Sequence, residues 1–73
     1  MNRFPTSSAG ITEVGFHPDS DADGTLELKF ANGAVYDFFN VPVKIYDEFL
    51  HASSREDYYS ANIGKRFPCS RLI

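Results

Sequence analysis

The chain has 73 residues, of which 42% are hydrophobic and 15% aromatic, and its formal net charge is −3. This length suits one domain and leaves no room for a second. The single cysteine excludes an internal disulfide. The net negative charge argues against a protein that binds nucleic acid through its overall charge.

The N-terminal sequence Met1-Asn2-Arg3-Phe4-Pro5 has no apolar run behind its charge, so it does not resemble a signal peptide. No segment of the chain approaches the length of a membrane span. An unpaired thiol at Cys69 suits a reducing compartment. We therefore expect a cytoplasmic monomer with no membrane contact.

Taken in chain order, the first elements are a flexible lead-in over residues 1–7 and a strand from about Ser8 to Phe16. The apolar residues of this strand do not alternate strictly, which predicts a bulge near Thr12-Glu13. Pro18 cannot donate a hydrogen bond to a neighbouring strand, so His17-Pro18 should end it.

An acidic loop follows at Asp19–Gly24. Its spacing, Asp19-x-Asp21-x-Asp23-Gly24, matches the first half of a calcium-binding EF-hand loop. The bidentate glutamate that such a loop needs at position twelve is replaced by Phe30. We interpret the segment as a solvated turn and predict no metal and no cofactor.

A β-hairpin is predicted at Thr25–Phe30 and Ala34–Phe39, around Asn32-Gly33. A two-residue loop would pair Leu28 with Asp37 and so place a carboxylate on the apolar face. A three-residue loop with Gly33 in the left-handed conformation pairs Leu28 with Tyr36 instead. This second register separates an apolar from a polar face and is the one we predict. The apolar face comprises Leu26, Leu28, Phe30, Tyr36 and Phe38, and the other face comprises Glu27, Lys29, Val35 and Asp37.

Two helices should follow the hairpin. Pro42 is suited to the first position of the longer one, in which Val41, Ile45, Phe49 and Ala52 form an apolar stripe, widened by Tyr46, Leu50 and Val43. The pattern Ser53-x-x-Glu56 predicts a capping box for a shorter helix that ends near Ile63, before Gly64. The sequence therefore predicts an α+β fold, in which a three-stranded antiparallel meander carries both helices on one face.

The basic residues cluster near the C-terminus, while residues 13–27 contain five acids and no Lys or Arg. Basic side chains with an aromatic ring between them can hold a phosphate backbone while a base stacks. The predicted nucleic-acid-binding residues are Arg55, Lys65, Arg66, Phe67 and Arg71. The competing interpretation of the same residues is a solvated tail.

No recognisable catalytic constellation is present. The histidines His17 and His51 lie at a strand end and on a polar helix face, and no serine, cysteine or lysine lies in a nucleophile motif. The glycines are scattered singly and so form no phosphate-binding loop. We predict that the protein is not an enzyme.

The hydrophobic pattern resembles the KTSC domain over about Ser8 to Phe67. The matching features are Ser8, Ile11-x-x-Val14-Gly15-Phe16, Leu26-x-Leu28-x-Phe30, Gly33, Tyr36-x-Phe38, Val41-Pro42, Tyr46, Leu50, Ala52-x-Ser54, Tyr58-Tyr59 and Ile63. The tyrosine-x-tyrosine of the family appears here as Tyr36-Asp37-Phe38, which removes one hydroxyl. The resemblance implies one domain at residues 8–67, with residues 68–73 as a tail.

KTSC domains are found alone in bacteria and appended to some lysyl-tRNA synthetases, so the resemblance implies RNA contact by association only. The leading hypothesis is a small non-catalytic module that binds RNA or tRNA weakly, in a salt-sensitive way, through its basic C-terminal end. The alternative is a protein-interaction module that offers an exposed sheet edge, or the face carrying Val35 and Phe39, to a partner protein.

Overall fold

The computed structural model describes residues 3–6 and 8–73. The elements of this described part are β1 (Phe4–Pro5), β2 (Ile11–Pro18), β3 (Asp23–Phe30), β4 (Val35–Pro42), α1 (Val43–His51), α2 (Arg55–Asn62) and β5 (Cys69–Arg71). The strands lie in the order β1-β2-β3-β4-β5, each antiparallel to its neighbour. The predicted α+β class, with an antiparallel sheet, is confirmed.

The predicted strand number was wrong, because five strands, not three, lie within the described residues. The additional strands are the short edges β1 and β5, which come from segments predicted as a flexible lead-in and a tail. Each is too short to show an alternating pattern and is held by pairing with a longer strand. Residues 1, 2 and 7 of the predicted lead-in lie outside the described residues.

The hairpin between β3 and β4 has the predicted register. Phe30 N–H donates to Ala34 O (2.9 Å), Leu28 lies opposite Tyr36, and Gly33 has a φ of +89°. An L-residue with a side chain rarely adopts this φ, so glycine suits the turn. The bulge predicted near Thr12-Glu13 is also present, as a register shift between Ile11 and Glu13.

Helix α1 packs its predicted apolar stripe onto the sheet. Phe49 is fully buried, and Ile45 and Tyr46 pack against the same cluster. The ring of Tyr46 stacks on Phe16 of β2, with 4.3 Å between centroids and 7° between planes. Pro42 is the N-cap of this helix, not its first residue as predicted, because it also ends β4 in an extended conformation.

Helix α2 begins one residue later than predicted, and its N-cap is Ser54, whose Oγ accepts a hydrogen bond from Asp57 N–H (3.2 Å). The predicted capping box is absent because the Glu56 carboxylate is engaged elsewhere. It accepts hydrogen bonds from Gly10 N–H (2.7 Å) and Ile11 N–H (3.3 Å), which lower the pKa of Glu56. This carboxylate therefore ties α2 to the start of β2.

The neighbouring residues Phe38 and Phe39 provide a test of the fold. Phe38 is 1% exposed and belongs to the core, whereas Phe39 is 37% exposed on the opposite side of β4. We expect Phe38→Ala to cost about 3–5 kcal/mol, which is close to the whole stability of so small a domain. We expect the control Phe39→Ala to cost about 1 kcal/mol or less.

Urea unfolding followed by circular dichroism would measure both costs. A Phe38→Ala protein as stable as the Phe39→Ala control would contradict this account of the core.

Candidate nucleic-acid interface

A pocket of about 370 Å³ opens on the helix-bearing face of the sheet, between the hairpin turn, the end of α2 and β5. We call it the aromatic pocket. Its lining residues are Phe30, Asn32, Ala34, Tyr36, Phe38, Tyr59, Gly64, Cys69 and Arg71. Helix α2, which ends at Asn62, contributes Tyr59 to this lining, and Gly64 follows just beyond the helix.

The aromatic rings of the pocket form a closed cycle. Phe30 contacts Tyr36 edge to face (5.9 Å between centroids) and Tyr59 in the same manner (5.3 Å). Phe38 completes the cycle by contacting Tyr36 (6.2 Å) and Tyr59 (5.7 Å). Each of the four rings thus contacts two others, and together they form the aromatic walls of the pocket.

Strand β5 supplies the polar side of the pocket. Its pairing with β4 places Arg71 opposite Tyr36 and Cys69 opposite Phe38, so both side chains share the face of the aromatic rings. The Arg71 guanidinium lies 5.9 Å from the centroid of the Tyr36 ring, and its Nε donates to Ile73 O (2.8 Å). A cation over a ring is favourable and holds this guanidinium at the mouth of the pocket.

Burial raises the pKa of the Tyr59 phenol, with smaller contributions from the nearby Cys69 and Tyr36. A tyrosine phenol is protonated at neutral pH, so the Tyr59 hydroxyl can act as a hydrogen-bond donor. The Asn32 side chain is partly engaged, because its Oδ1 accepts from Ala34 N–H (3.0 Å) while its Nδ2 remains a donor.

The structure brings only some of the predicted site residues to this pocket. Arg71 lines it, and the exposed Lys65 and Arg66 follow directly after the lining residue Gly64. Arg66 Nε also donates to Ala61 O (3.1 Å), near the C-terminus of α2. We call Lys65, Arg66 and Arg71 the basic rim.

The other two predicted residues have structural contacts of their own. Arg55 lies at the opposite end of α2, where it donates to Ser8 Oγ (3.3 Å) and Leu50 O (2.9 Å). Phe67 is half-buried against the core. Arg55 is thus remote from the basic rim, and Phe67 is not a free stacking surface.

The pocket itself was not predicted from the sequence. Tyr36 and Phe38 were both predicted to lie in the core, which is confirmed for Phe38, whereas Tyr36 is only half-buried at the pocket. The pocket could not be predicted because Cys69 and Arg71 were assigned to a tail, whereas they lie on a strand that pairs with β4.

The helix-free face of the sheet carries charged groups. Arg3 donates from Nη1 to Glu27 Oε2 (2.7 Å) and from Nε to Glu13 Oε1 (2.9 Å). Glu27 is only 5% exposed and lies opposite Asp37 in the β3–β4 pair. Arg3 therefore compensates one member of a close carboxyl pair.

Asp37 is the member of this pair that Arg3 does not bond directly. Its Oδ1 is buried and has no hydrogen-bond partner among the described residues. Burial, together with the adjacent Glu27 carboxyl, raises the pKa of Asp37 to about 6. This carboxyl therefore gains its charge close to neutral pH.

The sheet face that carries Val35 and Phe39, which the alternative hypothesis assigns to a partner protein, is less exposed than predicted. Val35 is 1% exposed, so its predicted role as an exposed contact was wrong, whereas Phe39 is exposed on the same side of β4. The backbone of Val35 is also engaged, because its carbonyl accepts from Leu72 N–H (2.7 Å). This contact with Val35 was not predicted, because the tail was not expected to pair with β4.

The acidic loop is organised by its own hydroxyl groups. Ser20 Oγ accepts from Asp23 N–H (3.1 Å), and Asp19 Oδ2 accepts from Thr25 Oγ1 (3.1 Å). Over residues 3–6 and 8–73, no three His, Cys, Asp or Glu side chains are arranged to hold a metal ion. In the same ranges, no helix is long and apolar enough to cross a membrane.

Comparison with known proteins identifies relatives of this chain. The family model of the KTSC domain matches residues 7–67. A protein of Tsukamurella paurometabola is 32% identical over 63 residues, which are 86% of this chain and 90% of that protein. The crystal structure of a KTSC domain protein from Yersinia pestis superposes with a TM-score of 0.89 at 28% identity, covering 99% of this chain and 97% of that one.

The carboxyl pair predicts a pH-dependent stability. The folded state binds the Asp37 proton more tightly than an unfolded chain with a pKa of 3.8, so this group should lower stability as pH rises from about 4 to about 6. We therefore expect Asp37→Asn to stabilise the protein by about 1–2 kcal/mol near pH 7.5, after allowance for the partly exposed side chain. The gain should vanish below about pH 4.

Thermal or urea unfolding across this pH range would measure the difference. The matched control is Asp21→Asn, an exposed carboxyl in the acidic loop, which should change stability little at any pH. A gain for Asp37→Asn that does not depend on pH would contradict the assignment.

Proposed function

We propose that this chain, which belongs to the KTSC domain family, is a small non-catalytic module that binds RNA through the aromatic pocket and the basic rim. The observation that carries the proposal is their adjacency. Gly64 lines the pocket and is followed directly by Lys65 and Arg66, while Arg71 lies at the pocket mouth. Cations beside aromatic rings are the combination that single-stranded nucleic acid requires.

The charge distribution supports this placement. The acids Glu13, Asp19, Asp21, Asp23 and Glu27 lie on β2, β3 and the loop between them. The basic rim lies after α2 and on β5, and the last nine residues of the chain contain no acid. A polyanion should therefore be attracted to the rim and repelled by the acidic loop, even though the net charge is −3.

The strength of binding should be modest. Three cations at the rim should give a dependence of log K on log salt with a slope of about −2 for a single strand. Charge alone should give dissociation constants of about 10⁻⁴–10⁻⁶ M. Such binding suits a module that adds affinity to a larger assembly or samples RNA transiently.

We also propose a cytoplasmic location, on the ground that the free thiol of Cys69 is exposed. An exposed thiol persists in a reducing compartment and is readily oxidised outside one.

The second candidate function is protein interaction through the edge of β5. Cys69–Arg71 is an exposed strand at the end of the strand order, and the following Leu72 and Ile73 are exposed apolar residues. An open edge can add a strand from a partner protein. Binding of this kind would depend little on salt, which separates it from the RNA proposal.

An amide-resonance titration with tRNA and with a short single-stranded RNA, each at two salt concentrations, tests the proposal. We expect shifts at Lys65, Arg66, Arg71 and the lining residues of the pocket, with affinity falling as salt rises. No binding at low salt would overturn the RNA proposal and favour the β5 edge.

Charge reversal locates the contact. Lys65→Glu with Arg66→Glu should abolish RNA binding without unfolding the protein, because both residues are exposed beyond α2. The matched single variants are Lys65→Glu and Lys44→Glu. Lys44 is exposed on α1 and does not line the pocket, so the second should bind RNA nearly as well as the wild type. Equal losses in both single variants would mean that only net charge matters.

A further inference from the structure

The aromatic pocket has a chemistry that restricts what can occupy it. Its walls are the flat rings of the closed cycle, and its polar groups are the Arg71 guanidinium, the tyrosine hydroxyls and the Asn32 amide. No acidic residue is present among its lining residues. A ring cage commonly binds a cationic ammonium group, but here the Arg71 guanidinium stands at the mouth, and the lining residues carry no carboxylate side chain that would attract a second cation.

The same arrangement favours a flat ligand that carries negative charge. A planar π system can pack against the rings of Tyr36 and Tyr59, and the guanidinium of Arg71 can pair with a phosphate. A volume of about 370 Å³ holds one ring system with its sugar and does not hold a stack of several.

We propose that the aromatic pocket accepts one unpaired nucleobase, with the phosphate of the same nucleotide on Arg71. This inference rests on the proposed function and narrows it, because it makes single-stranded nucleic acid the class of ligand. A base within a duplex is paired and stacked, and its removal from the stack costs free energy, so a duplex should be a poor ligand.

The hydrogen-bonding groups at the pocket suit a base edge. Asn32 Nδ2 lies at the tip of the hairpin and is a donor, since Oδ1 already accepts from Ala34 N–H. The Tyr59 hydroxyl, which is protonated at neutral pH as in any tyrosine, is a second donor at the pocket. Donors at the rim of the pocket favour bases whose exposed edge carries carbonyl oxygens, as in uracil and guanine.

Cys69 provides a direct reporter of occupancy. It is the single cysteine of the chain, it is exposed, and it lines the pocket. A nucleotide in the pocket should shield the thiol and slow its alkylation by iodoacetamide. The probes are uridine and guanosine monophosphates, with ribose 5-phosphate and inorganic phosphate as controls that lack the base.

We expect millimolar nucleoside monophosphate to slow alkylation of Cys69 at least several-fold and the two base-free controls to leave the rate unchanged. Protection by all four compounds would show a phosphate site without base recognition. Protection by none would show that the pocket does not take a nucleotide. Either result would overturn the inference.

Oligonucleotide binding separates this inference from the function on which it rests. We expect a short single-stranded RNA to bind at least tenfold more tightly than its duplex, and alkylation of Cys69 with a bulky maleimide to weaken the single-strand complex by about tenfold. A strand of the same length made of abasic units should bind more weakly than the single-stranded RNA, because only its phosphates can contact the protein. The variant Lys44→Glu should retain the full preference for single strands.

This experiment distinguishes failure of the base pocket from failure of the proposed RNA-binding function. If single strand, duplex and abasic strand bind equally and all are weakened by Lys65→Glu with Arg66→Glu, the basic rim binds nucleic acid and the base pocket is refuted. If none of them binds at low salt, the proposed function fails together with the inference.

Discussion

The turn at Ala31-Asn32-Gly33 is the constraint on which the rest of the structure depends. Its three-residue length and the left-handed φ of Gly33 set Leu28 opposite Tyr36. Because side chains alternate along a strand, a shift of one residue would move every side chain of β4 to the other face. The aromatic residues would then lie on the charged face, and the carboxyl of Asp37 would lie under the helices.

One register therefore creates two opposite surfaces with different chemistry. On the helix-bearing side, Tyr36 and Phe38 join rings from β3 and α2 to form the walls of the aromatic pocket. On the other side, Glu27 and Asp37 become neighbours, and Arg3 donates a hydrogen bond only to the first of them. The register that assembles the aromatic face therefore also places two carboxyl groups side by side, at a cost in folding stability.

The parts of the fold that could be predicted from sequence were those with periodic or local signals. The hairpin register followed from alternation and a glycine, and the buried face of α1 followed from its helical spacing. The edge strands could not be predicted, because β1 and β5 are stabilised by pairing with distant residues and carry no pattern of their own. The true N-cap was missed for a related reason, since the partners of Glu56 are Gly10 and Ile11, at the start of β2 and distant in the chain.

Only the charged residues of the candidate site could be predicted from the sequence, because the pairing of β5 with β4 could not be predicted. Lys65, Arg66 and Arg71 are visible in the sequence as a basic cluster, but the pocket beside them needs Cys69 and Arg71 placed against Tyr36 and Phe38. A rim of three cations on a chain of net charge −3 cannot give strong attraction to RNA by itself. Any selectivity must then come from short-range contacts, and the aromatic cycle is the surface next to the rim where a base can make them. The tail thus brings the basic rim and the aromatic rings together, which links the pairing of a three-residue strand to the proposed function.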